Sequence, residues 1–195
     1  APEKAEKLCY DSFCGANLSK YLIEKAAEGK TCVLLKPCDT YSFNQLLTEH
    51  RIDRDKIYVI GVGCDGMVDI EKVRALGIKG ITGVTENGAE LIVHTVYGDK
   101  TCKKADCLLE KCLSCKGKKH FAYDELIPAQ DGEEETPAGR FDMVEKLQSM
   151  SPKERFDFWQ NELSKCIRCN ACRNACPACS CRKCVFDSNK FDSAQ

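Results

Sequence analysis

The fold is decided by the stretch KIYVIGV at residues 56–62, an apolar run that is typical of a buried strand. A second run of the same kind, TCVLLK, occupies residues 31–36. Helices are predicted before, between and after these strands, at residues 16–28, 40–49 and 69–76. This alternation favours an α/β fold, with a small parallel or mixed sheet, flanking helices and a right-handed crossover.

The chain divides by composition into three predicted parts. Residues 1–130 form the α/β domain. Residues 131–139 form an acidic linker that contains proline and glycine. Residues 140–195 form a helical arm, followed by a ferredoxin-like, cysteine-rich segment that binds clusters.

Two local signals are specific enough to predict single elements. The pair Asn87-Gly88 predicts the turn of a β-hairpin over residues 81–97. Ser151 and Glu154 have the spacing of a capping box, which predicts that a helix of the arm begins at this point.

The charge balance of the chain excludes several classes of protein. Its 195 residues carry a formal net charge of −1, with a pI near 6.4, and this balance argues against a nucleic-acid binder, which needs a basic surface. No apolar run approaches the roughly 20 residues that span a bilayer, and the N-terminal residues lack a signal-peptide pattern. We therefore expect a cytoplasmic protein with no membrane span and no nucleic-acid partner.

Sixteen cysteines are the outlying feature of the composition. A secreted disulfide framework does not fit a chain without a signal-peptide pattern. Structural zinc favours separated C-x2-C pairs, often with histidine, whereas only three histidines occur and none lies beside the C-terminal cysteines. We therefore interpret the cysteines as ligands of iron–sulfur clusters.

The C-terminal run CIRCNACRNACP, at residues 166–177, has the spacing C-x2-C-x2-C-x3-C-P of bacterial ferredoxins. Gaps of two residues let a tight loop present three thiolates to one 4Fe–4S cluster, while the cysteine before proline serves another cluster. Three more cysteines follow this run. One cluster is therefore predicted on Cys166, Cys169 and Cys172, and a second draws on Cys176, Cys179, Cys181 and Cys184.

These seven ligands are one fewer than two clusters need. A crossover of one member of the second set to the first cluster leaves the second cluster one ligand short, so the eighth ligand is expected from Cys14 or another cysteine of the first domain. Cys14 is the candidate for that ligand, because it directly precedes the helix predicted at residues 16–28 and a helix N-terminus stabilises a thiolate. The alternatives are that Cys14 is a small buried residue and that one or two of the seven are not ligands.

Two further cysteines, Cys38 and Cys64, each follow the end of a predicted parallel strand. Such loops lie on one edge of the sheet, where α/β proteins bind their ligands. Cys112 and Cys115 form a C-x2-C pair in a later loop, and the four together are predicted to hold a further 4Fe–4S cluster. The local alternative is the set Cys102, Cys107, Cys112 and Cys115.

The cysteines of the first domain also allow purely structural interpretations. Cys38 and Cys64 are alternatively small buried residues with no ligand role, which is common for cysteine. Cys32 lies inside the first predicted strand and is expected in the core.

No catalytic motif accompanies these cysteines. The chain has no dinucleotide-binding fingerprint, no phosphate-binding loop and no zinc-protease motif. The glycine-rich residues 61–66 follow a strand but do not open a helix in the dinucleotide-binding pattern. FAD is therefore a possible cofactor without a motif to support it, and no catalytic residue is assigned.

Four motifs together resemble the beta-subunit family of deazaflavin-dependent hydrogenases and formate dehydrogenases: KPCD at 36–39, GVGCDG at 61–66, CLSC at 112–115 and the tail at 166–184. More narrowly, they resemble its iron–sulfur relatives, which accompany formate dehydrogenases or heterodisulfide-reductase-type complexes. The resemblance covers most of the chain. It implies an α/β domain with a cluster on the loop cysteines and, in some members, FAD and the reduction of a deazaflavin.

We therefore expect an electron-transfer subunit of a larger oxidoreductase, with about two to three 4Fe–4S clusters. Its partners would be other subunits of a formate dehydrogenase, hydrogenase or heterodisulfide-reductase type of complex. The alternative is a flavin-containing subunit that itself reduces a deazaflavin, ferredoxin or a nicotinamide.

Overall fold

The computed structural model describes residues 6–127, 133–181 and 184. The chain groups into two compact units, each made of segments that are distant in sequence. The antiparallel unit comprises Ala1–Ala16, Cys64–Lys118 and Glu133–Arg155, and the parallel unit comprises Asn17–Gly63, Lys119–Gly132 and Phe156–Gln195. The domain boundaries predicted around residues 131–139 stay a prediction.

The described residues form six strands, namely β1 (Thr31–Leu35), β2 (Ile57–Val62), β3 (Ile81–Asn87), β4 (Glu90–Thr95), β5 (Lys100–Lys103) and β6 (Glu125–Ile127). The α-helices of the same residues are α1 (Leu22–Glu28), α2 (Pro37–Thr48), α3 (Ile70–Ala75), α4 (Glu110–Leu113), α5 (Asp142–Ser149), α6 (Pro152–Ser164) and α7 (Ala171–Ala175). Short 3₁₀ turns lie at Leu18–Tyr21, Arg54–Lys56 and Lys104–Cys107.

The parallel unit is built on a sheet in which β1, β2 and β6 pair in that order and run parallel. Its core contains Phe43 of α2, Leu35 of β1 and Val59 of β2, all fully buried. Apolar strand residues therefore pack against helices, as the sequence predicts. The α/β class and the small parallel sheet are confirmed, whereas the ferredoxin-like fold of the tail stays a prediction.

The helix predicted at residues 40–49 begins earlier than its pattern suggests. Pro37 starts α2, and Lys36 is the residue that caps it. Proline suits the first turn of a helix because its missing N–H would have no partner there. Cys38 therefore lies inside the first turn of a helix, and not in a loop between the strand and the helix.

The helix predicted at residues 16–28 begins later than its pattern suggests. A 3₁₀ turn occupies Leu18–Tyr21, and α1 starts only at Leu22. Cys14 is therefore not at the N-terminus of an α-helix. The expectation that a helix N-terminus stabilises its thiolate as an eighth ligand is wrong. Its sulfur instead accepts a hydrogen bond from the backbone N–H of Asp11 at 3.4 Å.

The antiparallel unit contains the predicted hairpin, in which β3 ends at Asn87 and β4 follows after the turn. Gly88 has a φ of 61° there, a conformation that glycine adopts without steric cost. β4 also pairs with β5, so the sheet order is β3-β4-β5. Leu91 and Val93 of β4 form the core of this unit with Val73 of α3.

The arm contains the predicted capping box. The Ser151 N–H donates to the Glu154 carboxylate at 2.8 Å, and the Glu154 N–H donates to Ser151 Oγ at 3.3 Å. These bonds start α6, which ends at Ser164, just before Cys166. Among the described residues, no helix is long and apolar enough to cross a membrane.

Candidate metal centres

The C-terminal cysteine loop starts where α6 ends and turns through two residues in the left-handed conformation. Arg168 and Asn170 have φ angles of 57° and 59°, which are uncommon for residues other than glycine. They flank Cys169 and lead directly into α7, which carries Cys172. The Arg168 N–H donates to Cys166 Sγ at 3.4 Å, and hydrogen bonds of this kind support thiolate ligands of clusters.

The rest of the tail is a turn that contacts its own unit. The Cys179 N–H donates to the Cys176 carbonyl oxygen at 3.1 Å. Lys20 Nζ donates to the carbonyl oxygen of Cys176 at 2.8 Å and to that of Cys179. Ser180 Oγ donates to the Glu49 carboxylate at 2.6 Å, and Ser180 is buried. The tail is therefore folded onto the parallel unit as far as Ser180.

Glu49 is held in its charged form at the end of α2. The hydrogen bond from Ser180 lowers the pKa of the Glu49 carboxyl, and a second bond from Gln45 Nε2, at 2.7 Å, lowers it further. Glu49 therefore presents a negative charge to the tail at neutral pH.

The thiols of the tail are mostly accessible. The exposed ones are Cys166, Cys169, Cys172, Cys179 and Cys181, and the partly exposed ones are Cys176 and Cys184. Accessible thiols can approach a cluster without unpacking a core.

Cys38 and Cys64 follow neighbouring parallel strands, as predicted. Leu35 pairs with Gly61 in the sheet, so β1 and β2 end at the same edge. Cys38 is exposed in the first turn of α2, and Cys64 is partly exposed just after β2. Neither cysteine is buried, so the interpretation of the pair as small core residues is wrong.

Cys112 and Cys115 form a tight turn in which both sulfurs accept backbone hydrogen bonds. The Met67 N–H donates to Cys112 Sγ at 3.4 Å, and the Gly117 N–H donates to Cys115 Sγ at 3.4 Å. The Cys115 N–H donates to the Cys112 carbonyl oxygen at 3.3 Å and closes the turn. This geometry suits two neighbouring thiolate ligands.

The donor chemistry of the predicted residues fits iron–sulfur clusters. All are thiols, and three of them, Cys112, Cys115 and Cys166, accept backbone N–H groups. Within residues 6–127, 133–181 and 184, no three side chains of Cys, His, Asp or Glu form a group that could hold a metal ion. Metal binding itself brings ligands together, and a preformed site is rare without the metal. The assignment of cysteines to clusters therefore stays a prediction.

Cys102 and Cys107 form a separate pair in the antiparallel unit, with their Sγ atoms 3.8 Å apart. Cys107 is fully buried and belongs to the core with Leu91 and Val93. Burial, and then the hydrogen bond with Cys102, raises the pKa of the Cys107 thiol to about 11. The local set that includes Cys107 would therefore take one of its ligands out of a hydrophobic core.

The expectation that Cys32 lies in the core is wrong, because Cys32 is exposed. Burial along β1 falls on Val33 and Leu35, and Cys32 points to the opposite face, as the two-residue period of a strand requires. Its partner in β2, Tyr58, is also exposed. The uncovered face of the sheet therefore explains the exposure of Cys32.

Three buried polar residues lie at the carboxyl edge of the parallel sheet and were not predicted. His120 Nε2 is 3.2 Å from the carbonyl oxygens of both Leu35 and Val62, the last residues of β1 and β2. Lys36 and Asp39 form an ion pair, with Nζ and Oδ2 2.8 Å apart. The spacing Lys-Pro-x-Asp at a helix start could have indicated this pair, whereas nothing local in the sequence indicates His120.

Fold and cysteine spacing together define a cysteine-rich α/β protein whose C-terminal run has the cysteine spacing of bacterial ferredoxins. No family model matches the chain. It is 22% identical over 240 aligned residues to the F420-dependent formate dehydrogenase subunit beta of Methanocaldococcus jannaschii, covering 94% of this chain and 62% of that protein. It is 24% identical over 248 aligned residues to the F420-dependent formate dehydrogenase 1 subunit beta of Methanococcus maripaludis, covering 95% of this chain and 62% of that protein.

These matches confirm the resemblance to beta subunits of this kind that the four motifs indicate. The chain spans 62% of the length of both relatives, so it corresponds to part of them.

Proposed function

We propose that this chain is an electron-transfer iron–sulfur part of a larger cytoplasmic oxidoreductase, which relays electrons through about three 4Fe–4S clusters. The observation that carries the proposal is the C-x2-C-x2-C-x3-C-P run at residues 166–177. Similarity to two formate dehydrogenase beta subunits supports the same class. The partners are other subunits of a formate dehydrogenase, hydrogenase or heterodisulfide-reductase type of complex.

Two of the clusters belong to the tail. Cys166, Cys169 and Cys172 would hold the first, and Cys176, Cys179, Cys181 and Cys184 would supply the second. When bound, such a cluster accepts and releases electrons at a potential that its surroundings set. The left-handed residues Arg168 and Asn170 support a ligand role, because unusual backbone conformations persist mainly where a site requires them.

The third cluster is proposed on Cys38, Cys64, Cys112 and Cys115. The common edge at which β1 and β2 end supports the first pair. The backbone hydrogen bonds to both sulfurs support the second pair. The burial of Cys107 favours this set over the local alternative.

A second candidate function is a flavin-containing subunit that reduces the deazaflavin F420 itself. Both relatives are F420-dependent formate dehydrogenase beta subunits, which favours it. No flavin-binding motif in this chain supports it. The absorption spectrum of anaerobically purified protein separates the two functions, since only the second requires the bands of a flavin.

The deciding experiment is a measurement of iron and acid-labile sulfide per chain in anaerobically purified protein. The proposal predicts about 12 iron and about 12 sulfide atoms, four of each per cluster. A value near four iron atoms per chain would mean that only one of the three proposed sites holds a cluster. Tetrahedral zinc without labile sulfide would contradict the iron–sulfur function altogether.

A further inference from the structure

The turn from Cys176 to Ser180 is held by two side chains of opposite charge. Lys20, in the 3₁₀ turn at Leu18–Tyr21, donates to the carbonyl oxygen of Cys176 at 2.8 Å and to that of Cys179. Glu49, which follows α2, accepts a hydrogen bond from Ser180 Oγ at 2.6 Å. A cation and an anion from two separate elements therefore hold one short turn.

Hydrogen bonds with a charged partner are roughly twice as strong as those between neutral groups. The two cysteines of the turn, Cys176 and Cys179, are partly exposed and exposed. Ser180, in contrast, is buried, with 7% of its surface exposed. Lys20 and Glu49 thus fix the direction in which the flanking thiols leave the turn.

The same two charges act on any cluster that the turn ligates. A cluster held by thiolates becomes more negative when it accepts an electron. A nearby positive charge therefore raises its reduction potential, and a nearby negative charge lowers it. Lys20 bonds to the main chain of two predicted ligands, whereas Glu49 bonds to the residue between Cys179 and Cys181.

We propose that Lys20 and Glu49 are positioning residues that hold the Cys176–Ser180 turn and set the reduction potential of the cluster on it. The inference rests on the proposed clusters of the tail. It adds that two residues outside every cysteine motif prepare this cluster site, with opposite effects on its potential.

The first test is a redox titration of the full chain, followed by the electron paramagnetic resonance signals of its clusters. Lys20→Met should make the potential of one cluster more negative, because it removes the positive charge. Glu49→Gln should make it more positive, because the amide oxygen keeps an acceptor for Ser180 without the charge. A residue that only holds the fold would not produce shifts of opposite sign.

The matched controls are Lys25→Met and Glu28→Gln. Lys25 and Glu28 pair with each other on exposed surface of α1, and their Nζ and Oε2 atoms are 3.1 Å apart. Their substitution removes the same charges from the same unit and should leave the potential unchanged. Shifts of the same sign in Lys20→Met and Glu49→Gln, or shifts no larger than those of the controls, would overturn the electrostatic role.

The second test is hydrogen exchange at the backbone amides of residues 176–181. Lys20→Met should raise their exchange rates about tenfold or more, because it removes both charge-assisted bonds. Rates equal to those of Lys25→Met would overturn the positioning role. This measurement also works on cluster-free chain, so a protein without iron and sulfide would contradict the proposed function while the exchange rates still decide whether Lys20 holds the turn.

Discussion

Cys169 is the central cysteine proposed to hold the first tail cluster, and it lies between the left-handed residues Arg168 and Asn170. Cys169→Ser should remove about four iron atoms per chain and block electron flow. It should leave the α/β core folded, since Cys169 is exposed and belongs to neither hydrophobic core. Iron analysis, cluster spectroscopy and far-ultraviolet circular dichroism measure these outcomes.

The matched control for that prediction is Cys32→Ser. Cys32 is also exposed, but it lies within β1 and outside every predicted ligand set. The control should keep the full iron content. Loss of the circular dichroism signal in Cys169→Ser, or equal iron loss in both variants, would contradict the assignment.

Single residues also show where sequence reasoning reaches its limit. The cysteine run at residues 166–177 was visible because its spacing is local. His120 was not, because it bonds to Leu35 and Val62, which are remote in sequence. The placement of Cys32 was wrong because an apolar run does not tell which face of a sheet a helix covers.

At the scale of elements, β6 is joined to β2 by backbone hydrogen bonds of the parallel sheet and also by a side chain. The Asp124 carboxylate, just before β6, accepts the Val59 N–H at 2.7 Å and Arg54 Nη2 at 2.6 Å. The hydrogen bond from Arg54 is the main cause that lowers the pKa of Asp124, and the bond from Val59 adds to it. The charged form of Asp124 therefore stabilises this edge of the sheet.

Asp124→Asn should lower the free energy of unfolding by about 1 kcal/mol at neutral pH, a modest effect because the pair with Arg54 is partly exposed. The native pKa is depressed, so the contribution is complete above the unfolded-state value of about 3.9. It is lost as the pH falls through the lower native value. Urea unfolding of both proteins between about pH 7 and pH 3 should show the difference shrinking.

A second variant keeps this prediction specific. Arg54→Met removes the main partner and should bring the native pKa of Asp124 closer to its unfolded value, which flattens the same part of the pH profile. A difference between Asp124→Asn and the natural chain that stays constant down to pH 3 would mean that the charge of Asp124 is not its cause.

Elements themselves were largely predictable, because each depends on a local pattern. The two strand runs and the capping box at Ser151 predicted what the structure contains. The pair Asn87-Gly88 predicted the hairpin, but its turn is one residue later, at Gly88-Ala89. The start of α2 was misplaced because Pro37 serves equally well to interrupt a strand and to begin a helix.

At the scale of the whole molecule, sequence patterns could not predict how distant segments combine. In the parallel sheet β6 pairs with β2, although all three strands of the antiparallel sheet lie between them in the sequence. Both units are made of segments that are distant in sequence. The contact of Lys20 with Cys176 joins residues 156 positions apart. Such contacts depend on tertiary packing, which no window of neighbouring residues contains.

At the scale of the assembly, the proposed relay function requires partner subunits. Cysteines with ligand chemistry occur in both units, and the proposed relay function requires that electrons enter and leave through other proteins. Anaerobic purification from the native source should recover the protein with a molybdenum, tungsten, nickel–iron or flavin subunit. The isolated chain, loaded with clusters, should not oxidise formate or hydrogen with an artificial dye as acceptor, whereas the recovered complex should. Oxidation of either substrate by the free chain at the rate of the complex would contradict the relay role, because a relay cannot supply the reacting site.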